Sequence, residues 1–75
     1  MPLLPSLTAR KIIRVLKKVG FLEERQKGSH LILINRKTKA RTVVPIHAGK
    51  TIKPALVYAI IEDARLTVDE FIEFL

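Results

Sequence analysis

Seventy-five residues, 48% of them apolar, with no cysteine and a formal charge of +7, are expected to fold as one small domain over residues 1–75. The composition excludes a disulfide scaffold, and the longest apolar runs fall far short of the roughly 20 residues a membrane span needs. Met1-Pro2-Leu3-Leu4-Pro5 lacks the charged start and long apolar middle of a signal peptide, so a cytoplasmic protein without membrane contact is expected.

After a proline-containing lead-in over residues 1–7, Thr8 stands where a helix N-cap belongs. Ala9, Ile12, Ile13, Leu16 and Val19 follow at helical spacing, with Arg10, Arg14, Lys17 and Lys18 largely on the other side. Gly20 closes the helix, just after two lysines that suit the negative end of its dipole. Phe21 to Gln26 reads as a strand, Lys27-Gly28 as a tight turn, and Ser29 to Asn35 as the returning arm of a hairpin. Leu31-Ile32-Leu33-Ile34 is apolar on both faces, the pattern of a central strand. Period-two alternation puts His30 on the face of Ile32 and Ile34, with Leu31 and Leu33 opposite.

Asn35 to Ala40 is a polar, basic loop, and Arg41 to Ile46 a third strand whose Pro45 marks an edge or terminus. His47 to Lys50 leaves it. Thr51 is expected to cap a second helix, with Pro54 in its first turn and Leu56, Val57, Ile60, Ile61 and Ala64 as its core stripe. Thr67-Val68-Asp69-Glu70 has capping-box spacing and opens a short third helix bearing Phe71, Phe74 and Leu75. The order α-β-β-β-α-α predicts an α+β fold, its helices on one face of a three-stranded antiparallel sheet. The other face is then expected to expose Ile32 beside His30. This order echoes the α-β-β-β-α layout of double-stranded-RNA-binding modules.

Charge is segregated along the chain. Residues 1–53 hold thirteen basic and two acidic side chains, residues 54–75 one and five. A basic body of this density fits a polyanionic partner, nucleic acid before anionic membrane, although small domains also carry charge for solubility. No metal-ligand spacing is present, so neither metal nor cofactor is expected. Aromatic residues are 5% of the chain, none in the central strand, and there is no GxxG. Both observations argue against base-stacking sheets and KH-type clamps.

Two histidines remain as candidates for chemistry. A lone strand histidine is most simply a polar side chain with a satisfied ring. An imidazole nevertheless titrates near pH ~6.5 and exchanges a proton at neutrality. RNA brings its own nucleophile, the 2′-OH, so one positioned base and nearby cations suffice for cleavage. His30, near Arg25, Lys27 and the Arg14 and Lys17 side of the first helix, meets that description. His47 and Lys50 suit phosphate contact, and a merely solvated loop fits His47 equally.

Gly20-Phe21, then Arg25-Gln26-Lys27-Gly28-Ser29-His30, then Pro45-Ile46-His47-Ala48-Gly49-Lys50, closely resembles the HicA-like toxins of bacterial toxin–antitoxin pairs. Thr67-Val68-Asp69-Glu70-Phe71 is similar to that family's closing segment. The resemblance implies a double-stranded-RNA-binding-like fold and a ribosome-independent mRNA interferase neutralised by a HicB-like antitoxin. It assigns catalysis to His30, with Gly28 and Ser29 as its positioning turn. The chain departs from the family at Lys53-Pro54-Ala55 and in the plain aliphatics after His30. The alternative is a non-catalytic RNA- or protein-binding module of the same fold, and self-association into a homo-oligomer stays open.

Overall fold

The computed structural model describes residues 4–75, so residues 1–3 of the lead-in lie outside the described residues. Helix α1 (Ala9–Val19) begins and ends where its caps dictate. Thr8 is extended, and its hydroxyl oxygen accepts a hydrogen bond from the Lys11 N–H at 3.4 Å. Gly20 adopts φ +116°, a conformation that a Cβ would strain, and its N–H reaches back to the Leu16 and Lys17 carbonyls. Ala9, Ile12 and Leu16 are buried as the spacing predicts, and Val15 joins them. Ile13 and Val19 border that stripe, half-buried against the core.

Strands β2 (Leu22–Lys27), β3 (His30–Ile34) and β4 (Arg41–Pro45) form an antiparallel sheet in the order β2-β3-β4. The apolar run is therefore the central strand. The hairpin turn falls one residue later than its sequence suggests: Lys27 pairs with His30, leaving Gly28 and Ser29 as the loop. Only Gly28 has a positive φ, +60°, as a two-residue turn with glycine in its first central position requires. Asn35 is buried after β3, and its side-chain oxygen accepts from the Lys37 and Thr38 N–H groups. That carboxamide shapes the whole 35–40 loop.

A two-stranded pair was not legible in the pattern. Strand β1 (Leu7–Thr8) pairs antiparallel with β5 (Thr51–Ile52), so Thr51 is a strand residue and not a helix cap. Helix α2 (Pro54–Asp63) starts instead behind Lys53, which makes no side-chain cap bond. Pro54 in the first turn still fits, because its missing N–H would have had no partner there.

Val57, Ile60, Ile61 and Ala64 of the predicted stripe are buried; Leu56 is 40% exposed. The buried set follows i, i+3, i+4, i+7, and Leu56 sits about 100° off that line. Helix α3 (Val68–Glu73) carries both halves of its capping box, Thr67 accepting from the Glu70 N–H and Glu70 from the Thr67 N–H. Of its three expected apolar positions only Phe71 is buried; Phe74 and Leu75 are exposed past the helix end.

Both α1 and α2 pack against β4, and Leu31, Leu33 and Val44 join Ile12, Leu16 and Ile60 in one core. The Thr42 hydroxyl, on the same sheet face, donates to the Ile60 carbonyl at 3.4 Å. Among the described residues helices thus cover one face of the sheet only, and the protein has the α+β architecture with the α-β-β-β-α order of a double-stranded-RNA-binding-like arrangement. Among the described residues no helix is long and apolar enough to cross a membrane.

Candidate functional site

The face away from the helices is ordered in three rows by register. Lys27, His30 and Pro45 form one, Arg25, Ile32 and Val43 the next, and Leu22, Ile34 and Arg41 the third. Residues paired across strands share a face, with Cβ atoms roughly 4.5–5.5 Å apart. The second row depends on an irregularity. Leu22 and Arg25 are three residues apart and would point to opposite faces of a regular strand. The ladder slips between Glu23 and Arg25, where an extra residue is accommodated, and this returns Arg25 and Lys27 to the face of His30.

His30 is exposed at the start of β3, held by a rigid strand behind it and a two-residue turn before it. The Ile46 N–H donates to the Ser29 carbonyl at 2.6 Å, which ties the turn to the end of β4. Antiparallel pairs alternate, so Ser29–Ile46 bonding makes His30–Pro45 the closer, non-hydrogen-bonded kind of pair. Pro45 therefore costs the ladder nothing and presents its ring beside the imidazole. No hydrogen bond to the His30 ring is found among the described residues.

Of the residues singled out in the sequence, Arg25, Lys27, Gly28, Ser29 and His30 lie together on this hairpin. His47 and Lys50 lie on the β4–β5 loop that follows Ile46, where the Lys50 N–H donates to the His47 carbonyl at 3.1 Å. Arg14 and Lys17 do not join them. They belong to α1, in the helical layer, and Lys17 is ion-paired with Glu23 on the helix-facing side of β2. The expectation that the basic side of the first helix flanks His30 is thus corrected: the cations form two surfaces, one on each side of the sheet. Arg41, not singled out in the sequence, completes the open face at its far end.

A second expectation also changes. Ile32 is only 6% exposed, although it lies on the open face and outside the main core. Its cross-strand neighbours are Arg25 and Val43, so it is flanked on both sides as a residue of the central strand. The apolar character of this face is carried by Leu22, 52% exposed, with Ile34, Val43 and Pro45 half-buried.

Among the described residues no three His, Cys, Asp or Glu side chains come together in a way that could hold a metal ion. A cavity of about 530 Å³ lies between the first turn of α1 and residues 46–49, lined by Arg10, Ile13, Ile46 and His47 among others. Nothing in the sequence pattern pointed to Arg10 or Ile13 as its walls, because they meet the loop only through the tertiary fold.

Residues 9–66, from the first residue of α1 to the corner before α3, match the family model described as the HicA toxin of bacterial toxin-antitoxin. The chain belongs to the HicA toxin family. The match spans all three strands of the main sheet and stops short of Thr67, so it leaves the resemblance of the closing segment outside. No curated protein matches the chain. As a HicA-family toxin the protein is one half of a toxin–antitoxin pair, and an antitoxin is its implied partner.

Proposed function

We propose that this HicA-family protein acts as a single domain that cleaves RNA, with His30 as the proton acceptor for the 2′-OH. The observation that carries the reading is the row Lys27–His30–Pro45: an exposed imidazole at the mouth of the central strand, with a lysine directly opposite. Gly28 and Ser29 set the position of the ring through the turn and its bond to Ile46. A base removes the 2′-OH proton, and the oxygen attacks the adjacent phosphorus. The P–O bond to the 5′-oxygen of the next nucleotide breaks, that oxygen taking a proton from water to leave as a 5′-OH. Lys27 and Arg25 lie where they stabilise the charge gathering on the phosphorane, with His47 and Lys50 guiding the backbone from the loop. Arg14 and Lys17 act at longer range, as part of the field that draws RNA in. No metal is needed, because the substrate supplies the nucleophile and side chains supply the positive charge.

The products specify the test. Cleavage must persist in EDTA, leave a 2′,3′-cyclic phosphate and a 5′-OH, and fail where the nucleotide 5′ of the scissile bond is 2′-deoxy. Cleavage at a 2′-deoxy position, or loss in EDTA, would rule the mechanism out. The antitoxin is read as a HicB-like protein that covers the open face, contributing acidic groups to Arg25, Lys27 and Arg41 and an apolar contact to Leu22. Protection of β3 amides in hydrogen exchange on complex formation checks that placement.

The unpartnered His30 ring favours a second reading, since a general base is commonly oriented by a hydrogen-bonded neighbour. In that reading the protein is a non-catalytic RNA- or protein-binding module. Purified protein that binds mRNA without cutting it would decide for this second reading.

A further inference from the structure

The cavity beside α1 is not accounted for by proton transfer at His30. Its apolar lining comes from two elements, Ala9 and Ile13 of the helix and Ile46 and Ala48 of the loop, and Arg10 and His47 line it as well. Three features limit what it takes. The walls favour a flat apolar surface, and the imidazole of His47 offers a stacking partner for one. Arg10 and Ile13 also belong to the adjoining groove with Arg14, Lys17 and Lys18, so the cavity opens onto a cationic shelf suited to a phosphate backbone. Finally, Ile46 is hydrogen-bonded to Ser29, the residue before His30, so the cavity wall stands one strand spacing from the catalytic turn.

We infer that this cavity is a nucleobase subsite: one unpaired base of the RNA, close in sequence to the scissile phosphate, inserts between Ile13 and Ile46 and stacks on His47, while Arg10 holds its phosphate. The inference rests on the ribonuclease reading and adds to it a place where base identity is sensed. It also gives Arg10, on the far side of the sheet from His30, a direct contact beside the longer-range field of Arg14 and Lys17. The strand carrying the reacting phosphate passes around the end of β4, with its neighbouring base anchored in the helical layer.

Ala48 is exposed, so Ala48→Phe fills the cavity without disturbing the core. His47→Ala removes the stacking ring and serves as a second variant should the first fold poorly. A short RNA with a mapped cleavage position is made with an abasic nucleotide at each position in turn. Cleavage efficiency and affinity are measured for wild type and both variants. One abasic position should lower wild-type efficiency about tenfold, and Ala48→Phe should lower it about tenfold on the intact RNA. On the abasic RNA the variant should bring no further loss, because enzyme and substrate changes remove the same contact. Cleavage with a flat abasic scan, or losses that multiply, would overturn the subsite and leave the ribonuclease reading standing. The same non-multiplying pattern in affinity without cleavage would support the subsite while the catalytic reading falls. Absence of RNA binding by the wild type would overturn both.

Discussion

The two faces of β3 are built from neighbouring residues and do opposite work. Leu31 and Leu33 face the helices and lie in the core with Val44, Ile12 and Ile60. His30, Ile32 and Ile34 face outward in rows with Lys27, Arg25 and Arg41, and no acid appears in those rows. One strand therefore gives both the fixed support and the surface that carries the candidate site. The lesson is that a 75-residue protein with a thin core can still hold a side chain still, provided its candidate site shares a strand with the core.

The largest expected effect falls on the outward face. His30→Ala should lower RNA cleavage by roughly 10²–10⁴-fold, the usual contribution of a general base, while an exposed site changes stability by less than about 0.5 kcal/mol. Gel assays of cleavage beside thermal melts check both halves together. On the inward face Leu33, 0% exposed, should cost about 4 kcal/mol as Leu33→Ala, leaving a cavity the helices cannot close. Urea unfolding followed by circular dichroism measures it.

Ile32→Ala is the sharper test, since Ile32 is buried yet outside the core cluster. It should cost about 2 kcal/mol, the low end for such a truncation, because Arg25 and Val43 can settle into the space. A loss equal to that of Leu33→Ala would mean the two faces are packed alike. The smallest effect belongs to Lys27→Ala, which should weaken RNA binding only a few-fold. It should also make the slope of log affinity against log salt shallower by roughly 0.7, one phosphate contact on a single strand. An unchanged slope in a salt titration would remove Lys27 from the phosphate path.

Much of the candidate site was legible because its signals are local. Gly28 before an apolar run announces a turn and a strand, and alternation alone puts His30 on the face opposite Leu33. What alternation could not give is the partner of each residue. Leu22-Glu23-Glu24-Arg25-Gln26-Lys27 has no internal mark of the slip in its ladder, yet that slip decides that Arg25 and Lys27 stand beside His30. Asn35 illustrates the same limit: its polarity suggests a loop, and only the fold shows its side chain buried and organising that loop.

Sequence alone set where α1 begins and ends and where α3 begins, since Thr8, Gly20 and Thr67 act on backbone groups within four residues of themselves. It determined the central strand as well, because burial on both faces leaves a continuous apolar run. Tertiary structure alone decided the β1–β5 pairing, whose two-residue strands are too short to show a period. It decided that the α1 cations and His30 lie on different faces, that Ile32 is covered, and that His47 meets Arg10 across a cavity. Each of these joins residues distant in the chain, where the outcome depends on which surfaces pack together and not on the preference of any one segment.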